Sequence, residues 1–142
     1  MELVHTKDVP AIQVEDRLLQ WIAGPKGQAA SDRCSSCIAT LQAGASAKPP
    51  HSHPECEEAI FVLSGAGEML LESGKSHPIN SGDFLLIRKN EIHMLHNTGR
   101  EEMKVLCFYS APTDNSRYDF HPIESVKIES VKIESVEKKD KE

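Results

Sequence analysis

The sequence predicts an all-β chain, folded as a sandwich or a small barrel. Three observations lead there. Its apolar runs have the length of strands rather than of helices. Gly, Ser, Asn and Pro fill the gaps between those runs at high density. No internal segment sustains a 3.6-residue period over the length of a helix, so helices should be few.

Taken in order, the first run is RLLQWIAG, which stops at Gly24-Pro25. CIATLQA (37–43) follows and gives way to GASAKPP. AIFVL (59–63) ends in SGAG, and EMLLE (68–72) ends in SGKS. A tight SGD turn launches FLLI (84–87), the polar RKNE makes a second turn, and MKVLCFYS (103–110) runs up to Pro112. Beyond about residue 121 the character changes to tandem copies of VKIES. The apolar positions there, Ile123, Val126, Ile128, Val131, Ile133 and Val136, give neither a helix nor a strand a coherent buried face. The expected organisation is a β domain over 1–120 and a disordered repeat tail over 121–142.

Composition bounds the function. At 142 residues the chain makes one domain with a real core, and 39% hydrophobic with 27% charged residues reads as globular. The formal charge of −6, with basic residues scattered until the C-terminal end, argues against a nucleic-acid surface. The N-terminal stretch MELVHTKDVP has no apolar signal core and no run suits a spanning helix, so the expected location is the cytoplasm, with no membrane partner. There Cys34, Cys37, Cys56 and Cys107 are expected as free thiols. Cys34 and Cys37 form a C-x-x-C, but no second such pair completes a zinc site and no helix pattern follows.

The chemistry concentrates in HSHPECEE, residues 51–58. His51 and His53 are two apart, so an extended segment points both imidazoles the same way. Pro49-Pro50 stiffen the approach and Pro54 ends regular pairing. An acid follows, but strand parity alone does not choose between Glu57 and Glu58. In the second segment, GDFLLIRKNEIHMLHN, the residues His93, Leu95 and Asn97 share one face and Met94 and His96 the other.

Together the two segments resemble the cupin superfamily. Its first motif runs Gly, about five residues, H-x-H, three or four residues, Glu, six residues, Gly. Here Gly44, His51, His53, Glu58 and Gly65 follow that order with one extra residue after Gly44, and the closing glycine selects Glu58 over Glu57. In the second motif Gly82, His93 and Asn97 fall in register, while the usual Pro-x-Gly is replaced by Arg88-Lys89-Asn90. Asn tolerates the left-handed conformation that such a corner requires.

The resemblance spans roughly residues 30–110. It implies a double-stranded β-helix, or jelly-roll, barrel in which His51, His53, Glu58 and His93 bind one divalent metal. Three imidazoles and a carboxylate suit Fe(II), Mn(II), Ni(II), Co(II) or Zn(II). The expected function is a small metalloenzyme of isomerase, lyase, decarboxylase or dioxygenase type acting on an oxygen-rich small molecule such as a sugar or a keto or hydroxy acid. The alternative is a non-catalytic cupin that binds or senses a small molecule or metal. By the same resemblance the chain should form a homodimer through sheet edges. His96 reads as a strand-surface residue, His77 and His121 as incidental turn residues, and Cys56 as a loop thiol beside the ligands. Glu55 and Glu57 read as solvated loop acids, and Asn97 as the fixer of the Asn97-Thr98-Gly99 turn. No inward arginine is expected.

Overall fold

A computed structural model describes residues 1–121. The strands are β1 Ile12–Val14, β2 Arg17–Gly24, β3 Ala29–Ala30, β4 Ser35–Leu41, β5 His51–Ser52, β6 Glu58–Ser64, β7 Ala66–Leu71, β8 Ser76–Asn80, β9 Phe84–Ile87, β10 His93–His96, β11 Met103–Tyr109 and β12 Asp119–Phe120. Among the described residues the helical elements are two 3-10 turns, Thr6–Asp8 and Asn115–Arg117, and no helix is long and apolar enough to cross a membrane. The expectation of a disordered repeat tail lies outside the described residues, apart from His121.

Two sheets form the barrel. One runs β1-β2-β4-β11-β6-β9, with β3 alongside β2; the other runs β12-β5-β10-β7-β8. Every pairing is antiparallel except β2 with β3. Period-2 alternation decides what points inward. In β11, Met103, Val105, Cys107 and Tyr109 are buried while Lys104, Leu106 and Phe108 are not. The core joins these to Leu19, Trp21, Ala39, Leu41, Ile60 and Val62 from the same sheet and to Met69 and Leu95 from the other.

The runs read from sequence become β2, β4, β6, β7, β9 and β11. The structure adds β8 where only a turn was expected. His77 pairs with Met69 there, and Pro78 is tolerated because β8 is a sheet edge. Two corners behave as their sequences require. Gly65 joins β6 to β7 at φ 86°, and a Cβ there would sit 2.9 Å from the Met103 Cα. Asn90 adopts φ 63°, so the corner that lacks Pro-x-Gly keeps its left-handed turn.

Candidate metal centre

The short β5 lies between β12 and β10, and this placement starts the site. His51 on β5 is the direct cross-strand partner of His93 on β10. His53 follows just past the end of β5, and Glu58 opens β6 in the opposite sheet. Glu58 shares its parity with the core residues Ile60 and Val62, so it is carried inward and is only 3% exposed. Glu57 points the other way and pairs with Arg88 at 2.9 Å. The choice between the two acids, open in strand parity, is thus made by burial.

All three imidazoles are buried, and one ligand atom from each lies within 4.8 Å of the other two. Glu58 Oε1 sits 3.0 Å from His53 Nε2 and 3.1 Å from His93 Nε2. Backbone carbonyls aim two of the rings: Nδ1 of His51 donates to Pro49 O at 3.1 Å, and Nδ1 of His93 donates to Glu91 O at 2.8 Å. A backbone acceptor on Nδ1 fixes the tautomer and leaves Nε2 as the atom that could bind a metal.

The donor set fits a cation. Nδ1 of His93 already donates to a carbonyl, so the contact between its Nε2 and Glu58 Oε1 needs a further proton, on the ring or on the carboxyl, or a positive ion. His53 Nδ1 is buried without a hydrogen-bond partner among the described residues. An orphaned buried nitrogen costs about 1–3 kcal/mol, which marks a ring held for something other than its own hydrogen bonds. Burial, and next the neighbouring His93, push the His51 imidazole well below its ordinary range, favouring the neutral ring that a metal needs. For Glu58, burial alone would raise the carboxyl. The hydrogen bonds from His53 and His93 together outweigh it and hold the group well below the usual carboxylate range.

An inner cavity of about 30 Å³ adjoins these residues, with a lining otherwise mostly apolar. Two tyrosines close it. Tyr118 stacks on His51 with ring centres 5.2 Å apart, Tyr109 meets His53 edge-on at 5.2 Å, and the Tyr118 hydroxyl donates to that of Tyr109 at 2.8 Å. Burial, and next the charge of Glu58, push the Tyr109 phenol well above its usual range; Tyr118 is raised mainly by burial. Both are therefore neutral hydroxyls. Tyr109 was readable in sequence, because it shares the inward parity of Val105 and Cys107. Tyr118 was not, since it lies in an irregular segment beyond Pro112.

Other expectations change at the site. Arg17 is inward: it follows the parity of Leu19 and Trp21, is 4% exposed and lines the cavity, contrary to the expectation of no inward arginine. His96 is buried rather than on the surface, with Nδ1 2.6 Å from Ser46 Oγ. His121 is tied to the barrel, its backbone N–H donating to Pro50 O at 2.8 Å and its Nε2 lying 2.9 Å from Ser52 Oγ. Cys56 is buried, and burial, with Glu58 adding, pushes its thiol up to about 11, which makes it inert. Cys37 and Cys107 are cross-strand partners on the cavity wall, and all four cysteines are free thiols. Asn97 behaves as expected, its Oδ1 accepting from Gly99 N at 2.9 Å and its Nδ2 donating to Leu41 O at 3.0 Å.

Known proteins share this fold. A family model described as "Cupin domain" matches residues 37–109. L-ectoine synthase of Saccharophagus degradans is 38% identical over 76 residues, which covers 50% of this chain and 56% of that protein. The chain spans about half the length of the curated relatives it matches. The polyketide cyclase RemF from Streptomyces resistomycificus superposes with a TM-score of 0.72 over 93% of both chains at 20% identity. A Klebsiella pneumoniae protein with a double-stranded beta-helix domain superposes at 0.70, covering 86% of this chain and 98% of that one at 13% identity. At these identities the structural likeness is one of fold.

Proposed function

This chain belongs to the cupin domain family, and on that footing we propose that it is a small metalloenzyme acting on an oxygen-rich small molecule, with His51, His53, Glu58 and His93 as ligands to one divalent transition metal. The observation that carries the reading is the meeting of three buried imidazoles, within 4.8 Å of one another, beside the Glu58 carboxylate, whose Oε1 lies 3.0 and 3.1 Å from two of them. Fe(II), Mn(II), Ni(II), Co(II) and Zn(II) all suit that donor set. When bound, the ion supplies Lewis acidity toward a substrate oxygen. The chain's own residues supply the rest. His51 and His93 are oriented by their carbonyls, the apolar wall excludes water, and the neutral Tyr109–Tyr118 pair holds a proton at the Tyr109 oxygen beside the site. That hydroxyl pair favours proton-transfer chemistry of the lyase or isomerase kind over the other reaction types. Relatives and structural neighbours described as a synthase and a cyclase support a small-molecule enzyme.

The size of the inner cavity, about 30 Å³ or close to one water, favours a second reading, a non-catalytic cupin that binds or senses a metal or small molecule. We place the protein in the cytoplasm, in keeping with its four free thiols. We also propose a homodimer. Phe61, Leu63, Phe84, Leu86 and Phe108 are exposed together on the outer face of the larger sheet, next to its β9 edge, and Phe61 is the cross-strand partner of Phe84. A second copy over this face would cover both the apolar rows and the open edge.

The test is to load the protein with each metal in turn and screen small hydroxy acids, keto acids and sugars by thermal shift, with turnover followed by product analysis. Turnover that disappears in Tyr109→Phe supports the enzyme. Tight binding without turnover by any loaded form favours the second reading.

A further inference from the structure

Arg17 is the largest charged group that the chemistry above leaves unused. It sits on an inward position of β2 and is 4% exposed. Among the described residues its hydrogen bonding amounts to one contact, Nη1 donating to Lys48 O at 3.4 Å, and no carboxylate pairs with it. Lys48, close by, is already committed to Asp16 at 2.8 Å. A buried guanidinium normally has an anionic partner, because a charge taken out of water without one is strongly destabilising. Arg17 has the charge and the burial but not the partner.

Its position says where a partner would lie. Arg17 lines the inner cavity together with His51, Glu58 and His93. It also lines a surface depression of about 330 Å³ formed with Val14, Glu15, Lys48, Pro49 and Phe120. Arg17 is common to both spaces, and Phe120, on the wall of the depression, has its ring centre 6.3 Å from that of His51. A molecule resting in the depression therefore has the guanidinium on one side and the histidine cluster just beyond. A volume of this order accommodates a small organic molecule.

We propose that Arg17 binds the carboxylate of a small hydroxy or keto acid whose other oxygen reaches the histidine cluster. The inference rests on the reading of that cluster as a metal centre and narrows its substrate class. The planar guanidinium presents parallel N–H donors that match the two oxygens of a carboxylate. Lys48 is neutralised by Asp16 and Glu15 stands on the rim, so Arg17 is the cation that this side of the depression offers to an anion.

The experiment uses the full chain loaded with Co(II). Glycolate, 3-hydroxypropionate and 4-hydroxybutyrate are titrated by calorimetry against ethylene glycol, 1,3-propanediol and 1,4-butanediol, and the visible cobalt spectrum is followed in parallel. For wild type, at least one acid should bind on the order of 30-fold more tightly than its diol and perturb the cobalt band. In Arg17→Met that preference should fall below about 3-fold, with metal per chain unchanged and the melting temperature equal or higher, since an unpaired buried charge has been removed. Should Arg17→Met fail to fold, Arg17→Lys keeps the charge, loses the fork, and should lower the preference about tenfold.

A preference that survives these substitutions, or its absence in metal-loaded wild type, overturns the assignment. So does inorganic phosphate binding as tightly as the acids, or a lower melting temperature in Arg17→Met, which would mark Arg17 as a clamp on the Lys48 carbonyl. If wild type takes up no cobalt, the failure belongs to the histidine cluster, and the acid-to-diol ratio on the metal-free chain still judges Arg17.

Discussion

Free divalent metal should raise the melting temperature of this protein along a slope that mass action sets. An ion that binds the folded chain and not the unfolded one adds stability of about 2.7 kcal/mol at 100 times its dissociation constant and about 4.1 kcal/mol at 1,000 times. The unfolded chain has no such site, because the proposed ligands come from β5, the residue just past it, β6 and β10, in two different sheets. The folded chain needs little ordering to bind. Pro49 O and Glu91 O already aim the rings of His51 and His93. For a domain of this size about 1 kcal/mol corresponds to about 4 °C, so a hundredfold excess of free metal should add about 11 °C and each further decade about 5 °C. Removing one imidazole costs at least the hundredfold in affinity that loss of a hydrogen bond to a ligating histidine can cost. His51→Ala at the same free metal should then shift by about 2 °C or less, and His51→Ala with His53→Ala not at all. Differential scanning calorimetry at pH 7.5, with buffered free metal and a chelator control, measures this. A melting temperature independent of metal, or the same slope in the double variant, would refute the reasoning.

Further expectations follow from the same residues. In metal-stripped protein, His51 is held neutral by burial, so the unfolded chain takes up a proton near pH 6.5 that the folded chain refuses. Stability should therefore be full above that value and fall by about 1.4 kcal/mol per pH unit below it. Urea midpoints that stay level between pH 7 and 5 would contradict this; the depressed Glu58 carboxyl adds to the loss below its unfolded value of 4.5, and a loss that does not steepen from pH 4.5 to 3.5 would contradict that part. Gly65→Ala places a Cβ 2.9 Å from the Met103 Cα at φ 86° and should cost about 2 kcal/mol or more. Gly82→Ala, at φ 95° with nothing within 4 Å of its Cβ, should cost less, and equal losses in chemical denaturation would count against the crowding argument. Phe84→Glu puts a charge on the β9 edge of the exposed apolar face, across from Phe61, and should convert a dimer to a folded monomer in sedimentation experiments. A monomeric wild type would remove the proposed interface.

Much of this site was legible before any coordinates, for physical reasons that differ from residue to residue. His51 and His53 stood out as two imidazoles on one side of an extended segment, and the resemblance to the cupin motifs joined His93 and Glu58 to them. Glu58 needed the spacing to Gly65, and that glycine is required by its positive φ and by the approach of Met103. Asn90 was readable as a left-handed corner without its usual glycine. What escaped did so because its partners are distant in sequence. Tyr118 and β12 reach the site only by pairing with β5, which has two residues and no periodicity to detect. Arg17 has the inward parity of Leu19 and Trp21, but a charged residue opening a strand is ordinarily solvated, so its burial is not what its residue type suggests. His96 looked exposed by alternation, yet β10 is buried on both faces, with Met94 packing on Leu70 on the side away from the main core.

The central claim is that three imidazoles and one carboxylate hold a single ion inside the barrel. X-ray absorption on the cobalt-loaded full chain tests it most directly. The account predicts one cobalt per chain with multiple-scattering signals from three imidazoles, falling to two in His93→Ala. A first coordination sphere containing sulfur, from Cys107 or another of the buried thiols, or fewer than three imidazoles in wild type, would contradict it.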